Sequence, residues 1–447
     1  MSHYLHLALD VLEDFMKKVL SPTELQVFKQ KALLWGQKQG QTCCCLDSNQ
    51  YKSDPYGKYA FVLAVGAAQQ LELRAAKGAF EALKNFAKAQ QDWLFGYLSY
   101  ELKDDVEALS SNNLATQDFP LLHFFSPCYL ILIDYNGVLE LQSKYEPTEQ
   151  ILEVIQAQKL VVQPWKSVHL KPRMSKIRYL DTVKTIQEHI GAGDVYELNF
   201  CQEFFAENCL LDPRAAFERL NAIAQTPFAA YYQHQNYYAL CGSPERFLCK
   251  RGQQLIAQPI KGTIRRGQNP TEDEALCEQL RQSEKDRAEN VMIVDLMRND
   301  LTKVCTTGSI QVKELFGIYS FERVSQMIST VLGTLQPQQH WTDALKATFP
   351  IGSMTGAPKV SSLQLIEQYE TVARGVYAGT IGYVTPTGDF DFNVVIRSLL
   401  YDASTQYLSC QVGGAIVFDS QAWAEYEECL LKAQTILAAL DGTLLEG

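Results

Sequence analysis

Three short stretches in the second half of this chain carry residues whose types and spacing could do chemistry. Pro259-Ile260-Lys261-Gly262-Thr263 follows a strand-like run at 254–258 and leads into Ile264-Arg265-Arg266-Gly267. A strand fixes the direction of a lysine at its end, and the glycine after it lets a substrate approach the backbone, an arrangement that suits a nucleophilic amine. Taken alone, such a lysine is more often a solvated charge. The other two stretches are acidic. Asp286 and Glu289, three apart in a helical segment within 273–301, share a face. A second helix, 423–440, has an apolar stripe of Tyr426, Leu430, Ala433, Leu437 and Leu440, with Glu425, Glu428 and Lys432 on a different side. Two helices with carboxylate pairs are usually two solvated faces; the alternative is an oxygen-ligand Mg²⁺ site.

The elements that must position these residues follow from periodicity and turn signals. Residues 1–21 form an amphipathic helix on this reading, since Asp10, Glu13, Asp14, Lys17 and Lys18 interrupt any signal-peptide core. A buried strand is expected at 60–65, a helix at 71–89 weakened by Gly78, and an aromatic strand at 93–100. Asn136-Gly137 between two strand-like runs predicts a hairpin. The stretch 161–176, with Pro164 and Pro172, is the best candidate boundary. Beyond it come a helix at 177–190, ended by Gly191-Ala192-Gly193, and a strand at 195–205. Gly352-Ser353-Met354-Thr355-Gly356-Ala357-Pro358-Lys359 fails the phosphate-loop pattern, because Pro358 precedes the lysine; its amides could still meet a carboxylate.

The totals exclude several functions. At 447 residues, 47% hydrophobic and 20% charged, the chain can bury a large core, and length alone suggests two or three domains. A net charge of −11 with no basic stripe argues against nucleic acid and anionic membrane as partners. No apolar run reaches the roughly 18 residues of a membrane helix. The 12 cysteines, without CxxC or zinc spacing, predict free thiols in a reducing cytoplasm.

The motif-bearing stretches, in order, resemble the chorismate-utilising enzymes: the large subunits of anthranilate and aminodeoxychorismate synthases, and the isochorismate and salicylate synthases. The resemblance rests on Ser243-Pro244-Glu245-Arg246-Phe247, on 259–263, on Asp286-Arg287-Ala288-Glu289-Asn290 running into 295–301, and on 352–359. It continues through Arg374-Gly375-Val376-Tyr377-Ala378-Gly379, Val395-Ile396-Arg397-Ser398, and Gly413-Gly414-Ala415 followed by 425–432. It covers roughly 177–440 and is looser before that, chiefly around 93–100. It implies an α/β (α+β type) fold, a single large two-sheet sandwich with helices outside. Residues 1–165 would be its N-terminal portion and 175–441 its chorismate-binding catalytic portion.

Residue by residue, the resemblance implies a site. Glu289 and Glu428 match Mg²⁺-binding glutamates, with Asp286 and Glu425 matching acidic residues beside them that act through water or by supporting the ligands from behind. Tyr377 and Arg397 match the holders of the enolpyruvyl carboxylate; Gly262, Thr263, Gly413, Gly414, Ala415 and Lys432 line the remaining substrate contacts. Glu245 matches the acid that protonates the departing C4 hydroxyl. Lys261 stands where the anthranilate synthases have alanine and the aminodeoxychorismate synthases have lysine. It would add at C2 as the hydroxyl leaves, and ammonia would then add at C4 and expel it. A neutral amine is needed, so the expectation is a lowered pKa, with Arg265 and Arg266 as candidate cationic neighbours.

The reaction implied is chorismate plus ammonia to 4-amino-4-deoxychorismate, on the way to 4-aminobenzoate and folate. With no Cys-His-Glu glutaminase block fused to it, the chain would take ammonia from a separate glutamine amidotransferase subunit. The alternatives are anthranilate synthase component I and an inactive relative that binds chorismate or an amidotransferase. Two positions depart from the family pattern: Glu197, where amine-forming members usually have Gln, and Gln326, where many have His. A tryptophan pocket of the family is matched in part by Pro227-Phe228-Ala229 and poorly by Leu46-Asp47-Ser48-Asn49.

Overall fold

The computed structural model describes residues 14–161 and 164–445. Among them are eleven α-helices and twenty strands, and every ladder between these strands is antiparallel. This is the mixed α/β architecture expected. The strands form two limbs. One runs Glu197–Ala206, Tyr407–Ile416, Ser398–Asp402, Tyr237–Ser243, Phe228–His234, Thr42–Asp47, Phe61–Leu73. The other runs Leu94–Leu98, Thr380–Val384, Phe390–Asn393, Arg246–Arg251, Gln254–Gln258, Val324–Thr334. The long strand Leu122–Ile133 pairs with both Phe61–Leu73 and Leu94–Leu98, so the two halves are joined into one hydrogen-bonded network. Side chains from opposite limbs interdigitate, as in the edge-on contact of Tyr97 and Tyr232 with ring centroids 5.1 Å apart.

Local rules explain most element ends. The Asn136-Gly137 hairpin is present, with Gly137 at φ 80° between Leu122–Ile133 and Val138–Ser143. Helix Lys176–Ala192 starts at Ser175, whose hydroxyl accepts from the Arg178 amide, and ends at Gly193, φ 87°. The cysteines are all free. Among the described residues no helix is long and apolar enough to cross a membrane.

Four expectations are corrected. The helix expected over 1–21 falls outside the described residues up to residue 13. From Asp14 to Val19 the chain is instead a strand against Val138–Ser143, because a free hairpin edge outweighs helical spacing. Residues 71–73 belong to the Phe61–Leu73 strand, and the helix begins only at Ala79, after Gly78 at φ 79°. The single helix expected within 273–301 is two, Pro270–Gln282 and Glu284–Thr302. Between them Ser283 leaves helical ψ, and its hydroxyl accepts from the Asp286 amide at 3.3 Å. In Ala422–Leu440 the buried stripe is rotated from the expected one. It runs through Cys429, Ala433, Ile436 and Leu440 and has Glu425 at its head, so that carboxylate is buried.

Candidate active site

The Ile260–Arg265 strand pairs with Val324–Thr334, and its register breaks between Ile260 and Thr263. Lys261 and Gly262 occupy that irregularity, which re-aims a side chain. Gly262 has φ +90°, and a Cβ there would stand 2.9 Å from Asp286 Oδ1, so both backbone and space require glycine. Lys261 Nζ donates to Glu197 Oε1 at 2.5 Å, which ties the second limb to the first strand of the other. Burial, the largest influence on Lys261, pulls its pKa down. The negative charges of Glu197, Glu289 and Glu245 outweigh it, and the net shift is upward. The expected lowering is therefore overturned for the free protein. The expected cationic neighbours are elsewhere: Arg265 pairs with Glu272 at 2.5 Å and Arg266 with Asp273 at 2.7 Å, both on the Pro270–Gln282 helix.

Glu245 lies where the limbs meet, between Tyr237–Ser243 and Arg246–Arg251. Its backbone is held by the Ser243 hydroxyl and by the Val394 amide, which donates to its carbonyl at 3.0 Å. Burial pushes its carboxyl up to about 7, against the opposing pull of Ser353, Lys261 and Arg397. Such a group is poised to give or take a proton near neutrality. Arg397 has φ 51°, a left-handed conformation rare for its type, held in part by the Gly242 amide donating to its carbonyl at 3.1 Å. Its guanidinium has no hydrogen-bond partner among the described residues, and Glu245 is the charge it feels. Ala378, beside Tyr377, is also left-handed at φ 59°. Tyr377 is buried, its hydroxyl 3.8 Å from Cys201 Sγ.

The carboxylates of the two helices converge. Lys285 Nζ stands 3.9 Å from both Glu289 and Glu425, and Lys432 Nζ is 2.7 Å from Glu428 and donates to the Gly413 carbonyl at 2.8 Å. A Cβ built on Gly414 would be 3.6 Å from Glu425, 3.7 Å from Lys432 and 3.8 Å from Glu428, so three charged groups point at one spot that only glycine leaves open. Burial raises Glu289 to about 7 and raises Glu425, while Lys432 overcomes burial to lower Glu428. These hard oxygen donors, with Lys285 and Lys432 beside them, fit a divalent cation. Among the described residues no three acidic, histidine or cysteine side chains come together as a closed metal site. The donor set suits Mg²⁺, which takes one or two carboxylates and completes its shell with water and substrate. Gly413 is required for packing, since a Cβ there would sit 2.4 Å from Cys201 Sγ. Ala415 pairs with Asn199 one strand over.

Of the sequence-predicted residues, Glu245, Glu289 and Glu428 thus act on Lys261 and Arg397 on Glu245, while Thr263 faces Gln326, whose amide donates to the Thr263 hydroxyl at 3.4 Å. Lys359 falls outside this group: it is buried against Asp300 at 2.5 Å and anchors the 352–359 loop to the Glu284–Thr302 helix. The Thr355 amide is spent inside that loop, on the Gly352 carbonyl. Three participants were missed: Lys285, legible from its four-residue spacing to Glu289; Ser353, beside Glu245; and Glu197 as the partner of Lys261, for which nothing local gave a signal. Away from the site, Leu46, Asp47 and Ser48 do meet Pro227, Phe228 and Ala229 around one cavity, with Arg246 and Tyr383 in its wall.

Comparison with known proteins agrees with this geometry. The family model described as chorismate binding enzyme matches residues 31–438. The chain is 37% identical over 380 residues to a rice protein named probable aminodeoxychorismate synthase, chloroplastic, covering 76% of this chain and 42% of that one. It is 40% identical over 268 residues to aminodeoxychorismate synthase component 1 of Escherichia coli, covering 60% and 58%. The chain thus spans about half the length of these two relatives. A cyanobacterial anthranilate synthase component I-like protein from Synechocystis is 34% identical, with 78% and 73% covered. Anthranilate synthase component I from Streptococcus pneumoniae superposes with a TM-score of 0.77 at 26% identity, covering 94% of this chain and 98% of that one. The menaquinone-specific isochorismate synthase of Escherichia coli, at 15% identity and a TM-score of 0.72, shares the fold. By the family match over most of its length, this chain belongs to the chorismate binding enzymes.

Proposed function

We propose that this chain aminates chorismate at C4, giving 4-amino-4-deoxychorismate, as an aminodeoxychorismate synthase component I. The observation that carries the reading is the meeting, in one buried site, of an amine on a re-aimed strand, Lys261, with a carboxyl poised near 7, Glu245. The names of the rice and Escherichia coli relatives support it.

In this reading Arg397, unpaired among the described residues and held in a strained backbone, takes the enolpyruvyl carboxylate with Tyr377 beside it. Glu289 and Glu428, with Asp286 and Glu425 behind them, would hold Mg²⁺, which supplies charge neutralisation for the ring carboxylate. Gly262, Thr263, Gly413, Gly414, Ala415 and Lys432 line the ring. Lys261 adds at C2 while Glu245 protonates the C4 hydroxyl as it leaves; ammonia then adds at C4 and releases Lys261. The ammonia comes from a separate glutamine amidotransferase subunit, and the enzyme works in the cytoplasm toward 4-aminobenzoate and folate. Residues 1–165 and 175–441 act as the N-terminal and catalytic portions.

The test is to incubate the purified chain with chorismate, ammonium and Mg²⁺, with and without a glutaminase subunit, and identify the product by mass and chromatography. 4-Amino-4-deoxychorismate is expected. Anthranilate would move the chain to the anthranilate synthases, and no product under either condition would favour an inactive binding relative.

A further inference from the structure

Lys261 poses a problem that its site also answers. The amine must be neutral to attack, yet in the free protein it is surrounded by Glu197, Glu289, Glu245 and, further off, Glu428, which all favour its ammonium form. Among the described residues only Glu197 hydrogen-bonds to it, at 2.5 Å. Glu197 is 1% exposed, and its second oxygen, Oε2, is buried with no hydrogen-bond partner among the described residues. Carboxylates that hold this fold together are committed differently. Glu203 accepts from Arg173, Thr116, Tyr407 and Ser409, and Glu370 accepts from Arg374 through both oxygens and from the Cys201 amide. A carboxylate bound by one contact, to the nucleophile, can change its protonation state without breaking anything else.

We propose that Glu197 is a catalytic proton carrier: it takes the proton of Lys261 along their hydrogen bond, holds it through the covalent stage, and returns it. The inference rests on the reading of Lys261 as the nucleophile. The steps balance. Lys261 Nζ gives a proton to Glu197 Oε1, and its lone pair forms the Nζ–C2 bond. The ring double bonds shift, and the C4–O bond breaks with its electron pair on oxygen. Glu245 protonates that oxygen, and water leaves. Ammonia then forms the N–C4 bond, the double bonds shift back, and the C2–Nζ bond breaks with its pair on Nζ. Glu197 returns its proton to Nζ, and the new C4 ammonium gives one proton to Glu245, restoring the starting state. No further reagent is consumed.

Glu197→Gln separates this role from mere positioning, because the amide oxygen can still accept a hydrogen bond from Lys261 but cannot take its proton. The measurement is kcat of wild type and E197Q with chorismate, ammonium chloride and Mg²⁺ from about pH 6 to about pH 9. The ratio of variant to wild type at each pH cancels the titrations of Glu245 and ammonium. We expect a ratio of about one thousandth at the acid end that climbs roughly tenfold per pH unit toward one, because the variant must lose the lysine proton to solvent first. The KM for chorismate should stay within about twofold. If E197Q folds poorly, Glu197→Ala with added formate replaces it, and rescue by formate is the expected result. A ratio that does not change with pH, or no formate rescue, overturns the assignment while leaving Lys261 as nucleophile. A wild type that forms no aminated product at any pH overturns both.

Discussion

Two buried charge clusters lie along one strand, Glu197–Ala206, and they are built to opposite rules. Near its middle, Arg374 spends its donors on both oxygens of Glu370 and on the carbonyls of Met354 and Asn199, and it packs over the Tyr100 ring; Glu370 also receives the Cys201 amide. At its start, Glu197 meets Lys261 through one oxygen, Arg397 has no partner among the described residues, and Glu245 and Glu289 are both pushed up to about 7. Each cluster is desolvated. The first offsets the desolvation penalty through a dense set of hydrogen bonds, and the second leaves its groups open to a ligand. Satisfaction of polar groups, rather than burial, separates scaffold from chemistry here.

That contrast can be broken or sharpened experimentally. The largest effect belongs to Lys261→Ala: amination of chorismate should fall below detection in a product assay, and wild-type turnover would sink the mechanism. Arg374→Met should act on the fold instead, lowering unfolding free energy in denaturant by about 3–5 kcal/mol, because Glu370 is left buried and unpaired.

The neighbouring glycines Gly413 and Gly414 divide the same way. Gly413→Ala puts a Cβ 2.4 Å from Cys201 Sγ and 2.5 Å from the Phe200 carbonyl, and should destabilise by about 1–3 kcal/mol. Gly414→Ala meets nothing closer than 3.6 Å, so stability should change by under about 0.5 kcal/mol. Its methyl fills the spot that Glu425, Glu428 and Lys432 face, so kcat/KM for chorismate should fall roughly tenfold to a hundredfold. Equal effects from the two substitutions would erase the distinction.

The last effect is read from pH. Glu289 rises from an ordinary 4.5 to about 7 on folding, so the stability it allows is full below about pH 4.5 and is lost as pH rises through 7. Glu289→Gln should match wild type near pH 5 and be more stable near pH 8, by at most about 3 kcal/mol. A constant difference across that range would mean that Glu289 is not strained by burial.

Much of the site was legible because its motifs are short and local. The lysine before a glycine, the carboxylates three apart and the paired glycines at 413–414 are patterns of neighbours in sequence, and the structure keeps them together. The errors were of another kind. Ser283 splits a helical segment whose periodicity runs straight through it, because a serine that caps a helix leaves no mark in hydrophobic spacing. Asp14–Val19 is a strand because Val138–Ser143, more than a hundred residues away, offers it an edge. Arg265 ends the lysine strand and Arg266 follows it, yet both turn to acids on the following helix.

By itself the sequence determined which chemistry was available: an amine before a glycine and two pairs of carboxylates on helices, with Glu245 and Gly413-Gly414 added by their resemblance to family motifs. These depend on residue identity and short spacing. Tertiary structure alone decided the electrical state of those groups. The Glu197–Lys261 contact bridges 64 positions and exists only once the two limbs are joined, and Glu245 and Glu289 pull on the same amine only once the chain folds. Electrostatic energy depends on distance and desolvation, and neither is written along the chain.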